Sequence, residues 1–249
     1  MREPSECVGV PVELVVPSAL VVVAHPDDES FGLGAVLGSL VDAGVEVHAV
    51  CFTHGEASTL GDVVDLGGTR EHELAAAAGV LGLASWELHG YPDGHLDETP
   101  STELALHVIR AAVRHRAELL VVFDEGGITG HPDHERATDA TLMAARHLDL
   151  AVVAWAIPQH VASALNAQFG TTFVGRTRSA IDLTVSVDRE RQLRAIACHL
   201  SQAGDNPVLW RRLDLAGDTE PLRWLRRPPR RARRWTVGTF GTGPAVGGL

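Results

Sequence analysis

An apolar run that ends abruptly in a group of acids constrains the fold more than any other feature of the chain. Residues 19–23 are all Ala, Leu or Val, without the polar alternation of a half-exposed strand, which favours a buried strand of a parallel sheet. Pro26 cannot donate a hydrogen bond to a sheet and therefore ends this strand. The loop that follows should lie at the carboxyl edge of the sheet, where open α/β sheets bind their ligands.

This loop, residues 24–29, is Ala-His-Pro-Asp-Asp-Glu. It combines the imidazole of His25 with the carboxylates of Asp27, Asp28 and Glu29. Carboxylates this close together cannot all stay ionised at low cost unless a cation lies among them. The sequence therefore predicts a divalent metal at this edge of the sheet.

Strand-like apolar runs alternate with helical spacing along the first 157 residues, which is typical of an α/β fold. We predict a Rossmann-like three-layer fold with a mostly parallel sheet and helices on both faces, followed by a C-terminal hairpin or edge strands at 171–174 and 179–187. One domain should span the chain, with a core at 18–227 and a flexible Arg-, Pro- and Gly-rich tail at 228–249. The further strands are predicted at 45–52, 86–89, 119–123 and 150–157, and the helices over 32–41 and from Arg70, Pro100, about Asp133 and Asp188.

Composition and charge exclude several classes of protein. The net charge of −11 argues against a nucleic-acid-binding protein, although seven arginines lie between Arg223 and Arg234. We interpret that run as a solvated segment that pairs with the acidic body or with a neighbouring subunit of a homo-oligomer; an anion-binding arm is the alternative. No apolar run reaches 18 residues and the first residues lack a signal-peptide pattern, so we predict a cytoplasmic protein without membrane contact.

A second cluster of chemically active side chains follows the predicted strand at 119–123. It contains His131-Pro132-Asp133-His134 in a loop made adaptable by three glycines. Because both clusters follow parallel strands, they should meet at one edge of the sheet. Their flanking sequences do not repeat, so the likeness of the two tetrapeptides does not indicate a duplication. Isolated histidines such as His48 and His107 are predicted to be ordinary core or surface residues.

The two clusters, in this order, resemble the LmbE/PIG-L family of zinc-dependent N-deacetylases. The resemblance extends to 53–56 (Thr-His-Gly-Glu), to Arg70-x-x-Glu73 and to 199–202 (His-Leu-Ser-Gln). It implies zinc, or another divalent metal such as Fe²⁺, held by His25, Asp28 and His134. This ligand set leaves room for a water molecule, as hydrolytic zinc sites require.

The same resemblance implies roles for other residues. Asp27 would be the general base, and His131 would stabilise the oxyanion or protonate the leaving amine. Arg70 and Asp93 would contact the substrate, and His199 would lie near the site. Some sugar deacetylases of this family have a Tyr two residues before the second-cluster histidine, where this chain has Thr129, so the oxyanion role should fall more heavily on His131 and the metal.

Each of these assignments has an alternative that the sequence leaves open. Asp27 and Asp28 could exchange roles, and we interpret Asp133 as a helix N-cap. Glu29 could hold one of the site residues in place, or it could simply be an acid in the first turn of a helix, where the helix dipole favours it. Arg70 could instead form an ion pair, and Asp93 could be a turn residue.

The predicted function is hydrolysis of an N-acetyl or other N-acyl group from a small amino sugar or glycoside, by attack of zinc-bound water. With 5% aromatic residues, the sequence does not predict an apolar channel for a long acyl or lipid-linked substrate. The alternatives are an amidase for a non-sugar N-acyl substrate, a non-haem iron oxygenase, and a metal- or sugar-binding module without activity. The oxygenase is disfavoured because such sites usually lie on all-β folds, and the silent module because Asp27 and His131 accompany the ligands.

Overall fold

The structure, a computed structural model, describes residues 9–60 and 63–228 of the 249-residue chain. Its strands are β1 (Ser18–Val23), β2 (Glu46–Thr53), β3 (Ser85–Tyr91), β4 (Leu119–Phe123), β5 (Ala151–Trp155), β6 (Ile157–Pro158), β7 (Gly175–Arg176), β8 (Leu183–Ser186) and β9 (Thr219–Arg226). Seven of them form the central sheet, in the order β3-β2-β1-β4-β5-β9-β8, and β6 pairs with β7 in a separate small sheet. The first five strands in chain order pair in parallel, whereas β9 is antiparallel to both β5 and β8.

Helices cover both faces of this sheet. They are α1 (Asp28–Phe31), α2 (Gly34–Asp42), α3 (Leu66–Leu81), α4 (Ser101–Arg114), α5 (Pro132–Leu148), α6 (Gln159–Phe169), α7 (Glu190–Ile196), α8 (Leu200–Ala203) and α9 (Pro207–Ala216). One apolar cluster joins one face of the strands to α2, α3, α6 and α7, and a second cluster joins the opposite face to α4 and α5. This confirms the predicted three-layer α/β fold.

The strands that precede the two chemical clusters are neighbours at the centre of the sheet. All six residues of β1 and all five residues of β4 are buried, as expected for strands covered by helices on both faces. Their register pairs Ala19 with Leu119 and Val21 with Val121. The loops that leave their carboxyl ends therefore lie side by side, which is the arrangement that the sequence predicted.

The C-terminal third differs from its prediction. Within the described residues, 171–174 forms no strand; the hydrogen bond from the Val174 N–H to the Ile128 carbonyl instead joins it to the second chemical loop. Of 179–187 only β8 is a strand, and it is the edge strand of the main sheet. Its partner β9 was not predicted, because Pro221 and several arginines hide its apolar pattern. Of the predicted tail 228–249, residues 229–249 lie outside the described residues.

Some helix ends also differ from the predicted ones. The helix expected over 32–41 is α2, which begins at Gly34, and a separate short helix that was not predicted, α1, begins at Asp28 inside the first chemical cluster. Pro100 lies before α4 rather than in its first turn, because its backbone is extended (φ −57°, ψ 128°). At α7 the cap position is Arg189, although the Asp188 carboxylate does accept a hydrogen bond from the Glu190 N–H.

Candidate metal centre and active site

Three buried side chains from the two loops converge on one point. His25 Nδ1 lies 3.1 Å from His134 Nε2, which lies 3.2 Å from Asp28 Oδ1. The three ligand atoms lie within 4.8 Å of one another. Ligands of a tetrahedral zinc ion, each about 2.0–2.2 Å from the metal, lie about 3.3 Å apart. The donor set and its spacing therefore fit a divalent metal.

Hydrogen bonds orient all three side chains toward this point. Asp28 Oδ2 accepts bonds from the backbone N–H groups of Ala24 and His25, which leaves Oδ1 directed at the centre. His134 directs its other ring nitrogen, Nδ1, at the Gly127 carbonyl (3.1 Å) and at Thr129 Oγ1 (3.0 Å). An oxygen acceptor behind a ligand imidazole is the usual arrangement around protein-bound metals, because it fixes the ring and its tautomer.

His25 is held in the same way by two carboxylates. Its Nε2 lies 2.9 Å from Asp93 Oδ1 and 3.3 Å from Asp133 Oδ2. Burial lowers the pKa of His25, but its bonds to Asp133, Asp28 and Asp93 outweigh burial and hold that pKa well above its usual value. Burial raises the pKa of Asp28, but the two histidines outweigh it and hold that pKa well below its usual range.

Asp133 is not the helix cap that the sequence analysis favoured. The N-cap of α5 is His131, whose Nδ1 accepts a hydrogen bond from the Asp133 N–H (3.2 Å). The Asp133 carboxylate is completely buried and accepts bonds from the N–H groups of Gly94 (2.8 Å) and Leu96 (3.0 Å). It thus ties the turn after β3 to the metal centre, a long-range role that a local capping pattern cannot show. His25, His131 and Asp133 form a second group that could hold a metal, but His25 Nε2 already faces both carboxylates.

Asp27 stands beside the ligands in a strained backbone conformation. Its φ of 117° is rare for a residue with a side chain. Its Oδ2 accepts a hydrogen bond from Arg70 Nη2 (2.9 Å), and Arg70 also donates to the carbonyls of Pro26 and Gly55. Burial raises the pKa of Asp27 to about 6, against the opposing charge of Arg70.

The two predicted substrate contacts, Arg70 and Asp93, are both engaged within the protein. Arg70 is 3% exposed and forms the ion pair that was its alternative role. Asp93 places one carboxylate oxygen on His25, and the other accepts a bond from the Ala57 N–H (2.8 Å). Contact of either residue with a substrate stays a prediction.

Sequence reasoning left the role of Glu29 open, and in the structure its carboxylate binds the backbone of Asp27. The side chain is completely buried, and its Oε2 accepts a hydrogen bond from the Asp27 N–H (2.9 Å). Its Oε1 accepts bonds from Ser30 Oγ (2.6 Å) and from His199 Nε2 (2.8 Å). Burial lowers the pKa of His199, but Glu29 outweighs burial and raises it. His199 therefore reaches the site through Glu29 rather than through the ligands.

His131 lies at the rim of the centre. Its ring is half-buried and meets the ring of His25 edge-on, with the ring centroids 4.8 Å apart. Burial, aided by the neighbouring His25 and His134, lowers the pKa of His131, so its imidazole is neutral at pH 7. Because Nδ1 accepts the Asp133 N–H, the proton of this neutral ring is on Nε2.

Fold and site together define a class: α/β proteins with two histidines and one carboxylate that could hold a metal at the carboxyl edge of a parallel sheet. The chain belongs to the PIG-L family, whose model, described as GlcNAc-PI de-N-acetylase, matches residues 20–145. This confirms the resemblance found in the sequence.

Individual relatives agree with this membership. A protein of Schizosaccharomyces pombe named "Probable N-acetylglucosaminyl-phosphatidylinositol de-N-acetylase" is 34% identical over 128 residues, covering 49% of this chain and 49% of its own length. A protein of Acidothermus cellulolyticus named "1D-myo-inositol 2-acetamido-2-deoxy-alpha-D-glucopyranoside deacetylase" is 30% identical over 240 residues, covering 78% of this chain and 82% of its own length. This chain thus spans about half the length of the first of these relatives.

A solved structure shares the fold. The zinc-inhibited form of teicoplanin deacetylase Orf2 superposes with a TM-score of 0.62 at 19% identity, over 83% of this chain and 97% of that one. At this identity the likeness concerns the fold alone. Among residues 9–60 and 63–228, no helix is both long and apolar enough to cross a membrane.

Proposed function

We propose that this chain is a metal-dependent N-deacylase that hydrolyses the N-acetyl or other N-acyl group of a small amino sugar or glycoside. The observation that carries the proposal is the convergence of His25, Asp28 and His134 at hydrogen-bond distances, with the carboxylate of Asp27 beside them. The names of the two relatives, both de-N-acetylases of glucosamine derivatives, support a sugar substrate.

His25, Asp28 and His134 would hold the metal, for which zinc is the proposed identity. When bound, the metal supplies Lewis acidity to the amide carbonyl and to the attacking water. Asp27 takes the proton of that water: with a pKa of about 6, its carboxylate is ionised at neutral pH yet basic enough to accept a proton. Arg70 keeps this carboxylate in place through the 2.9 Å ion pair.

His131 would act on the carbonyl oxygen of the amide, whereas Asp27 acts on the attacking water. Because its ring is neutral and carries its proton on Nε2, it can donate a hydrogen bond to the developing oxyanion, and the leaving amine takes the proton that Asp27 has accepted from the water. Cleavage of the C–N bond then yields the free amine and the carboxylic acid.

The test separates metal binding from chemistry by comparing Asp27→Asn with His134→Ala. Asp27→Asn should keep the metal, measured by elemental analysis, and lose about 10²- to 10⁴-fold in the rate of amine release from N-acetylglucosamine glycosides, because an amide cannot accept the proton. His134→Ala should lose the metal. Asp139→Asn, an exposed aspartate on α5, is the matched control and should behave as the unaltered protein.

Two results would contradict the proposal. Stoichiometric metal in the His134→Ala protein would refute the ligand set, and full activity of Asp27→Asn would refute the general base. Loss of metal from Asp27→Asn, together with its retention in Asp28→Asn, would show that the two aspartates exchange roles.

A further inference from the structure

A cavity of about 190 Å³ opens beside the metal centre. Asp28 and His134 line it on one side, whereas Asp27, His131 and Asp93 do not line it. About 10–15 Å³ of such space already holds a water molecule, so the cavity has room for several non-hydrogen atoms. The low aromatic content predicted no apolar channel, yet aromatic and aliphatic side chains form most of the wall: Phe31, Phe123, Ile128, Trp155, Phe173 and Leu209.

One buried cation lines this largely apolar wall, on a different element from Asp28 and His134. Arg212, on α9, is 5% exposed, and its guanidinium carbon lies 5.0 Å from the centroid of the Trp155 ring. Its Nη2 donates to the Phe31 carbonyl, and it forms no salt bridge with any residue of 9–60 and 63–228. Burial lowers the pKa of Arg212 to about 10, which leaves it charged at neutral pH.

Glu220, the acid whose charge raises the pKa of Arg212, already has two other hydrogen-bond partners. Glu220 accepts hydrogen bonds from Arg189 Nη1 (2.5 Å) and from Trp155 Nε1 (2.6 Å). A buried cation without its own counter-ion is costly, and a planar guanidinium is suited to bind a carboxylate through two parallel hydrogen bonds. The remaining N–H donors of Arg212 are therefore suited to an anion that enters the cavity.

We propose that this cavity binds the acyl half of the substrate and that Arg212 pairs with a carboxylate at the end of the acyl group. The inference rests on the proposed N-deacylase function. It assigns the acyl half because the cavity adjoins Asp28 and His134, where the carbonyl must lie, and its wall is mostly apolar, while Asp27, His131 and Asp93 lie outside it. The preferred substrate class is an amino sugar acylated by a short dicarboxylic acid, such as an N-succinyl derivative.

The reaction is the same hydrolysis. Water adds to the amide carbonyl, the C–N bond breaks, the amine takes a proton, and the dicarboxylic acid is released. No oxidant or further reactant is needed.

A binding experiment tests the site without relying on turnover. Succinate and succinamate, in which one carboxylate is replaced by a neutral amide, are titrated into the zinc-loaded full chain, and Trp fluorescence is followed because Trp155 lies against Arg212. Succinate should bind tenfold or more tightly than succinamate, because a charge-assisted hydrogen bond replaces a neutral one. If the unaltered protein binds succinate and succinamate with equal affinity, the inference is overturned. This comparison does not depend on any variant.

Variants then identify the residue. In Arg212→Gln the ratio of the two affinities should fall to about one, and in Arg212→Lys, which keeps the charge without the planar fork, it should be intermediate. Arg211→Gln is the matched control, because Arg211 is on the same helix but pairs with Asp214 at the surface. A ratio that stays high in folded Arg212→Gln would overturn the assignment.

Turnover of a substrate series separates this inference from the proposed function. The kcat/KM of N-succinylglucosamine should exceed that of N-succinamoylglucosamine by tenfold or more, and the excess should be lost in Arg212→Gln. Hydrolysis of N-acetylglucosamine glycosides without any preference for succinyl substrates would refute this inference and leave the proposed function standing. Arg212-dependent binding of succinate without hydrolysis of any amide would refute the proposed function and retain the anion site. A carboxylate preference found only on the amine half of the substrate would overturn the acyl assignment.

Discussion

Replacement of Glu29 by Gln should impair catalysis while the metal stays bound. Glu29 is not a predicted ligand; it holds Asp27 through the bond between its Oε2 and the Asp27 N–H. Gln has nearly the same shape, so the change removes a negative charge and replaces one acceptor oxygen by a donor. That donor must face either the Asp27 N–H or the donors Ser30 and His199, and one of these buried groups loses its partner.

The size of the effect follows from these three bonds. A hydrogen bond to a charged group contributes about 1.5–3 kcal/mol, against about 0.5–1.5 kcal/mol for a neutral pair. The three bonds together should weaken by about 3–4 kcal/mol, and relief from burying a charge offsets part of this, so we expect a loss of about 2–4 kcal/mol in the free energy of unfolding. The unfavourable φ of Asp27 itself costs about 1–3 kcal/mol. Without Glu29 to hold it, Asp27 should leave this conformation in most molecules.

The assay compares kcat, KM and metal content in Glu29→Gln and the unaltered protein. We expect kcat to fall about 10- to 100-fold, which corresponds to about 1.4–2.7 kcal/mol, with little change in KM and full metal occupancy. Hydrogen exchange at the Asp27 amide should accelerate, which reports the lost bond even without a substrate. Glu135→Gln, an exposed change beside His134, is the control.

A Glu29→Gln protein with unaltered kcat and unaltered exchange at Asp27 would refute this reasoning. Loss of metal from that variant would also refute it, because Glu29 would then support the ligands rather than the base.

Two further predictions concern stability. Zinc at 100 times its Kd should stabilise the metal-free protein by about 2.7 kcal/mol, or about 5–11 °C in Tm, and this response should persist in His131→Ala and disappear in His134→Ala; a response in both variants would contradict the ligand set. The second concerns His48, His89 and His107, whose pKa values burial lowers. Because each of these histidines binds more protons in the unfolded chain than in the folded one, each should make the free energy of unfolding fall as the pH drops through about 6.5, whereas Asp27, His25 and His199, whose pKa values are raised, act in the opposite direction. Urea denaturation at pH 7.5 and 5.5 should therefore give a free energy of unfolding that falls less, or rises more, in His48→Asn than in the unaltered protein. An equal change in both proteins would contradict the lowered pKa of His48.

The placement of the candidate metal site was accessible from sequence because it depends on local patterns. An apolar run shows a buried strand, a proline shows its end, and parallel strands bring their carboxyl ends to one edge. These rules place His25 and His134 at the same edge, although 109 positions separate them. The adjacency of β1 and β4 then determines which two loops meet.

Asp133 shows where such rules fail. Its position before an apolar helical stripe is typical of an N-cap, and nothing local distinguishes a carboxylate that caps its own helix from one that turns away. The partners that decide the matter, Gly94 and Leu96, lie in a turn 37–39 residues earlier. The same holds for Glu29, whose partner His199 lies 170 residues later in the chain.

Arg212 extends this argument to substrate choice. It lies on α9, and the cavity that it lines is also lined by Trp155 at the end of β5, beside the antiparallel strand β9 that the sequence did not reveal. The proposed catalytic side chains come from loops directly after parallel strands, where the chain direction alone fixes their position. The proposed specificity residue, from the C-terminal third, is positioned instead by contacts between distant elements, such as the bond from Arg212 to the Phe31 carbonyl. Sequence patterns therefore indicate the type of reaction, whereas the substrate has to be inferred from the cavity in the structure.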